Sequence, residues 1–93
     1  MDVDGVNLIP IFVDRVNRFS LDTDEETGRT FVSIPVRNQY VSYEENYEVD
    51  RDTFDGYVAD PTLAHEFVRR AKNHELDHLL LLKPGTDRGA PDC

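Results

Sequence analysis

Apolar and polar residues alternate most clearly between residues 18 and 37. Two alternating segments, 18–22 and 30–36, flank an acidic loop that ends at Gly28, a residue that readily adopts a positive φ. The second segment has apolar residues at every other position, namely Val32, Ile34 and Val36. The pattern predicts an antiparallel hairpin over about 18–37. Pro35 cannot donate a backbone hydrogen bond, which predicts an edge or a kink at that position.

A further strand is predicted over about 40–49. One face of this segment is apolar apart from Glu45 and carries Val41, Tyr43, Tyr47 and Val49. The other face is polar apart from a tyrosine and carries Tyr40, Ser42, Glu44, Asn46 and Glu48. Three of the tyrosines also fit a helical spacing, but the period-two count and the β-rich flanks favour a strand.

The N-terminal segment has apolar residues at helical spacing. They are Ile9, Phe12, Val13, Val16 and Phe19, and Pro10 is acceptable in a first helical turn. The spacing favours a helix over about 9–19. A long strand that runs into the hairpin is the alternative.

A second helix is predicted over about 61–73. Asp60 can cap free amides and Pro61 suits the first helical position. The apolar stripe of this helix consists of Leu63, Ala64, Phe67, Val68 and Ala71, and we expect Phe67 to be deeply buried. The four leucines at 79–82 indicate either a buried strand over about 78–83 or the end of a buried helix.

These elements predict a single small α+β domain spanning residues 1–93. A small antiparallel sheet would pack against the 61–73 helix, because each strand has one apolar face and the helix has one apolar stripe. Residues 86–93 are expected to form a flexible tail.

The chain is strongly acidic, with 19 acidic and 10 basic residues and a net charge of −9. Such a charge disfavours ordinary nucleic-acid binding and adsorption to anionic membranes. No apolar run approaches the length of a membrane-spanning helix. The single cysteine, Cys93, excludes a disulfide framework, so we expect a cytoplasmic location. The acidic surface serves either solubility or docking onto the basic surface of another protein.

A short motif with known metal chemistry lies near the C-terminus. His74, Glu75 and His78 form the pattern H-E-x-x-H. On one helix, the two histidines would lie one turn apart and could share a zinc ion, with the glutamate as general base. The alternative is that the helix ends near Asn73 and that the motif forms a turn. Only two metal ligands are evident, so the turn is favoured and no cofactor is expected.

The same residues resemble a known enzyme family. The sequence HELDHL at 74–79 and the sequence SIP at 33–35 resemble the corresponding motifs of peptide deformylases. The resemblance covers roughly residues 31–82. It implies a metal-dependent amide hydrolase, holding zinc or iron, that removes formyl groups from new bacterial chains.

The chain departs from the deformylase pattern at several positions. Phe31 stands where the resemblance would place the cysteine ligand, and Leu81 replaces a usual glycine. The segment that supplies a catalytic glutamine has no counterpart. The resemblance therefore implies a truncated and altered relative.

Three functions are compatible with the sequence, and the first is favoured. It is a non-catalytic protein-interaction or regulatory domain, whose candidate contact residues are Tyr40, Tyr43, Tyr47, Tyr57, Asp50, Asp52 and Asp55. The second is a metal-dependent hydrolase that uses His74 and His78 as ligands and Glu75 as base. The third is a structural protein that oligomerises through a sheet edge near Pro35 or Tyr40. Burial of two or three tyrosines against the core is the alternative to a contact role.

Overall fold

The computed structural model describes residues 8–37, 42–81 and 90–91. Four strands come first along the chain: β1 (Leu8–Asp14), β2 (Phe19–Asp24), β3 (Thr30–Arg37) and β4 (Ser42–Val49). They are followed by α1 (Arg51–Ala59), a 3₁₀ turn (Pro61–Ala64), α2 (His65–Lys72), a second 3₁₀ turn (Asp77–Leu79) and the two-residue strand β5 (Ala90–Pro91). The sheet packs with the two helices, which confirms the predicted α+β class.

The four long strands form an antiparallel sheet in the order β1-β2-β3-β4. β2 and β3 are the predicted hairpin, with Leu21 opposite Val32, and Val32 is in turn opposite Tyr47 on β4. The Asp24 carboxylate accepts two hydrogen bonds within the acidic loop. Gly28 adopts φ of +76° where the chain enters β3, as its position in the loop predicted.

The N-terminal segment is a strand, so the predicted helix over residues 9–19 is wrong. β1 pairs with β2, and the register of this pairing shifts between Pro10 and Phe12. Ile11 is therefore an extra residue in β1, and a bulge of this kind interrupts the two-residue alternation of side chains. Because of the interruption, the apolar residues on either side of Ile11 acquire a spacing that resembles a helix.

Helix α1 occupies a segment in which the sequence predicted no element. Asp50 caps the helix, and its carboxylate accepts a hydrogen bond of 2.7 Å from the amide of Thr53. Phe54 is the buried residue of α1. A single buried side chain in two and a half turns leaves almost no apolar periodicity, which explains why the helix was missed.

The helix predicted over 61–73 is confirmed as a 3₁₀ turn followed directly by α2. Val68 and Ala71 are the buried residues of α2. Phe67, in contrast, is only partly buried, and its ring meets the Tyr47 ring edge-on at 6.1 Å. The expectation that Phe67 is deeply buried is therefore wrong, because the stripe is rotated toward Val68 and Ala71.

The hydrophobic core lies between the helices and one face of the sheet. Its members on the strands are Phe19, Leu21, Val32, Ile34, Val36 and Tyr47, and its members on the helices and the C-terminal turn are Phe54, Ala64, Val68, Ala71, Leu76 and Leu80. The opposite face of the central strands is buried as well. Phe31, Ser33 and Asp22 lie on that face and are at most 3% exposed. The two central strands are therefore covered on both sides.

From residue 77 to residue 81, the C-terminal segment differs from the strand predicted there. Residues 77–79 form a 3₁₀ turn, and Leu80 pairs with Tyr47 only as an isolated bridge. The strand predicted over 78–83 is therefore not formed as far as residue 81, beyond which residues 82 and 83 lie outside the described residues. Within the predicted flexible tail, Ala90 and Pro91 pair with β3 as strand β5.

Pro35 lies on a central strand, between two ladders. The pairing of β3 with β2 reaches Ser33, and the pairing with β5 begins at Val36. Pro35 falls in the gap on that side of β3, where a missing N–H breaks neither ladder. β4 begins at Ser42, and Tyr40 and Val41 of the strand predicted over 40–49 lie outside the described residues.

Candidate functional site

The H-E-x-x-H motif begins at the turn that ends α2. The last helical residue is Lys72, and His74 adopts φ of +62°. The amide of His74 donates to the carbonyl of Ala71 at 3.0 Å, and the amide of Glu75 donates to the carbonyl of Arg70 at 3.0 Å. This pair of bonds is the Schellman motif that closes many helices. The left-handed residue is His74 rather than Asn73.

The motif residues do not lie on one helix, as the H-E-x-x-H geometry requires. The backbone leaves the helix at His74, so His74 and His78 are not one helical turn apart. Glu75 accepts an exposed hydrogen bond of 3.3 Å from Arg70, and His78 is exposed in the second 3₁₀ turn. Phe31 is fully buried with the Arg29 guanidinium 5.4 Å from its ring centre. Within 8–37, 42–81 and 90–91, no three His, Cys, Asp or Glu side chains are grouped as metal ligands.

The candidate contact tyrosines lie mainly in or against the core. Tyr47 is 0% exposed, and its hydroxyl donates to Glu45 Oε1 at 2.9 Å. It therefore contributes to no contact surface. Tyr43 and Tyr57 are partly buried and pack against the core. Tyr40 lies outside the described residues.

The three candidate acidic residues are exposed at the N-terminal cap, in the first turn and in the middle of α1. Asp50 is its cap, and Asp55 forms an ion pair of 3.2 Å with Arg51 one turn earlier. Both carboxylates thus have structural roles within the helix. Asp52 lies in the first turn, where a negative charge interacts favourably with the helix dipole.

An apolar surface that the sequence analysis did not identify lies at the first strand and the turn after it. Ile11, Val13 and Val16 are 51%, 52% and 88% exposed. We call these three residues the apolar edge, because β1 is the outer strand of the sheet. Among the described residues, no strand pairs with the outer side of β1. Single exposed aliphatic residues are common, but three within six positions concentrate apolar surface at one end of the sheet.

The turn that carries Val16 is held by one carboxylate. Asp14 accepts hydrogen bonds from the amides of Val16 at 3.0 Å and Asn17 at 2.8 Å, and from the Asn17 side chain at 2.9 Å. The side-chain bond from Asn17 is the first cause of a lowered pKa at Asp14. Turn tips normally carry glycine, asparagine, aspartate or serine, so a valine displayed on a braced turn is unusual.

The two outer strands of the sheet, β1 and β4, differ in how their outer sides are covered. The outer side of β4 is partly covered, since Leu80 pairs with Tyr47 and the Leu81 amide donates to the Asn46 carbonyl at 2.8 Å. β1 has Pro10 and the bulge at Ile11 instead. Both features interrupt a regular edge and oppose long strand additions. The backbone of β1 is therefore poorly suited to pairing with a further long strand, whereas its apolar side chains are exposed.

A buried polar cluster lies behind the apolar edge, on the face of the sheet away from the helices. The Ser33 hydroxyl is 2.5 Å from Asp22 Oδ2 and 2.7 Å from Asn46 Oδ1. Ser33 has one hydroxyl hydrogen, so it donates to one of these two acceptors at a time. The Ser20 hydroxyl also donates to Asp22 Oδ2, at 3.3 Å. Burial raises the pKa of Asp22, and the hydrogen bonds that it accepts from Ser33 and Ser20 oppose this shift.

Glu44 lies near this cluster and lines a cleft of about 150 Å³ together with Val13 of the apolar edge. Partial desolvation, followed by the charge of Asp22, raises the pKa of Glu44. Arg15 and Arg18 line the same cleft, so this end of the sheet combines apolar and basic groups.

Comparisons with protein-family models, with curated proteins and with solved structures found no match to this chain. The deformylase resemblance of residues 74–79 thus stays a prediction from the sequence. None of the helices in the described part of the chain has the length and apolar character required to span a membrane.

Proposed function

We propose that this chain is a non-catalytic protein-interaction domain that recognises an extended segment of another protein through the apolar edge. The observation that carries the proposal is the exposure of Ile11, Val13 and Val16 on the outer strand. Extended segments of partner proteins bind beside exposed sheet edges in many interaction domains, and at this interrupted edge the exposed apolar side chains would supply most of the contacts.

The local charge pattern supports the same function. Residues 8–13 contain no charged side chain, although 31% of the whole chain is charged. Charged residues on an edge strand normally prevent contacts with other chains, and their absence here leaves an accessible apolar surface. The single carboxylate at the end of β1, Asp14, is engaged by the turn. The same hydrogen bonds hold the turn that carries Val16 in one conformation, which lowers the entropic cost of binding.

Peptide selection tests this proposal without knowledge of the natural partner. Random dodecapeptides displayed on phage are selected on the wild-type protein, and the enriched peptides are synthesised for measurement of Kd. We expect Val13→Lys to weaken their binding at least tenfold, because a central apolar contact contributes more than about 1.4 kcal/mol.

Leu63→Lys is the matched control. Leu63 is 58% exposed, close to the 52% of Val13, but it lies on the 3₁₀ turn after α1. We expect Leu63→Lys to change Kd less than twofold. Equal losses in both variants, or a loss only in Leu63→Lys, would contradict the proposal. Melting curves of both variants establish that neither is unfolded.

A second copy of the chain is an alternative occupant of the same edge. In that case the wild-type protein would be a dimer in solution and Val13→Lys would be a monomer. Sedimentation analysis at micromolar concentration distinguishes this oligomeric function from recognition of another protein.

A further inference from the structure

A basic groove adjoins the apolar edge. It lies between the β1–β2 turn and α2, has a volume of about 250 Å³, and is lined by Asn17, His65, Val68, Arg69 and Lys72. We call it the basic groove. Val16 of the apolar edge precedes Asn17 directly, so a segment that covers Val16 reaches the groove within one or two residues.

The polar side chains of the groove are positioned by the geometry of α2. His65, Arg69 and Lys72 are spaced i, i+4 and i+7, which places them on one side of the helix. Lys72 Nζ donates to the Asn17 carbonyl at 3.2 Å, and Asn17 Nδ2 lies 3.4 Å from His65 Nε2. These contacts tie the turn to the helix and fix the width of the groove. Val68, 4% exposed, supplies an apolar floor.

Basic residues are concentrated at this end of an otherwise acidic molecule. Five of the ten basic residues of the chain lie in the β1–β2 turn and in the last two turns of α2: Arg15, Arg18, Arg69, Arg70 and Lys72. The carboxylates near these residues include Asp14, which is 3.9 Å from His65 Nε2, Glu66, which pairs with Arg69, and Glu75, which pairs with Arg70.

The ion pair at Arg69 can exchange its carboxylate at little cost. Arg69 donates to both oxygens of Glu66, but the two side chains are 57% and 68% exposed. Exposed ion pairs contribute little to stability, because water solvates both partners nearly as well. A carboxylate presented by a bound segment can therefore replace Glu66 on the planar donor face of Arg69.

We infer that the basic groove binds an aspartate or glutamate side chain of the partner, so that the recognised segment is apolar and acidic in succession. This inference rests on the proposed function, because the apolar edge brings the segment to the groove. The net charge of −9 makes the inference specific. The field of the whole molecule repels an acidic peptide. A preference for an acidic peptide over a neutral one therefore requires a local basic site such as this groove.

Two synthetic peptides test the inference. Both begin with an alternating Val-Thr segment, and one ends in Glu-Asp-Glu while the other ends in Gln-Asn-Gln. Fluorescence anisotropy at 50 mM and 500 mM NaCl gives Kd for each. At 50 mM NaCl we expect the acidic peptide to bind about three- to fivefold more tightly, and at 500 mM we expect the difference to disappear.

Arg69→Gln and Arg51→Gln form a matched pair of variants. Each arginine is exposed on a helix and paired with a carboxylate, Glu66 or Asp55, but only Arg69 lines the groove. Arg69→Gln should abolish the preference for the acidic peptide and leave binding of the neutral peptide unchanged. Arg51→Gln should retain the preference.

Three results would overturn the inference. If both peptides bind equally and Val13→Lys still abolishes binding, the groove is not a carboxylate site although the proposed function stands. If neither peptide binds, the inference fails together with the proposed function. Binding only of a phosphoserine peptide, or only of anionic lipid vesicles, would show that the groove recognises another class of ligand.

Discussion

The buried Tyr47 hydroxyl links β4 to α2, and its removal should destabilise the fold measurably. Tyr47 is 0% exposed, its hydroxyl donates to Glu45 Oε1 at 2.9 Å, and it lies 3.3 Å from the Ala71 carbonyl. Glu45 is itself only 6% exposed. Tyr47→Phe retains the ring, and with it the edge-on contact with Phe67, but leaves the buried carboxylate with one donor fewer.

The expected loss follows from the removal of a hydrogen bond to a buried carboxylate. A hydrogen bond to a charged group contributes about 1.5–3 kcal/mol, so Tyr47→Phe should lower the free energy of unfolding by about 2 kcal/mol. For a domain of this size, such a loss lowers Tm by roughly 8–16 °C. Urea denaturation followed by circular dichroism measures the change, provided that the m-value is unaltered.

Tyr57→Phe is the control for the Tyr47 measurement. The Tyr57 ring also contacts Phe67, at 6.1 Å, but it is only partly buried and lies against α2 from the side of α1. We expect a change below about 0.5 kcal/mol, as for most substitutions away from the core. If the loss of stability arises from the buried Glu45 carboxylate, Tyr47→Phe should lower the free energy of unfolding less in a protein that already carries Glu45→Gln. A Tyr47→Phe variant as stable as the wild type would refute the reasoning.

Two further predictions concern the C-terminal turn and the buried acid. His74→Gly should raise the free energy of unfolding by about 0.5–1 kcal/mol, because glycine adopts a positive φ without strain. A decrease of about 1 kcal/mol in the free energy of unfolding would instead indicate that the helix continues through residue 74, as a metal-binding motif requires. Asp22 has a raised pKa in the folded state, so its contribution to stability is complete below the ordinary carboxyl pKa of about 4 and is lost as the pH rises from there toward the folded pKa. Relative to Asp22→Asn, the wild type should therefore lose stability as the pH rises through this window, and denaturation curves that remain parallel from pH 3 to pH 8 would contradict a raised pKa.

The sequence predicted those elements whose local signals agree with their tertiary environment. The 18–37 hairpin has both alternation and a loop glycine, and the helix after Pro61 has both a cap and an apolar stripe. The sequence predicts a helix end near Asn73 as one of two alternatives, and in the structure the left-handed residue of the closing turn is His74. Histidine tolerates this conformation better than most residues, yet no local pattern distinguishes the two positions.

The elements that the sequence missed are those in which tertiary contacts determine the structure. The bulge at Ile11 altered the apolar period of β1, and α1 buries little besides Phe54. The apolar edge was missed for the same reason as β1: Val13 and Val16 were assigned to the buried face of a helix. The absence of charged residues from 8–13 was the only available indication of this apolar edge. The same absence is expected of a buried helix, so it does not distinguish the two structures.

Chemical-shift mapping of a bound peptide tests the interaction function most directly. A ¹⁵N-labelled sample of the wild-type protein is titrated with a selected dodecapeptide, and amide shifts are followed along the chain. The proposed function predicts that the largest changes fall at Ile11, Val13, Val16 and their immediate neighbours. Changes concentrated instead on α1, or on residues 74–79, with β1 unaffected would contradict it.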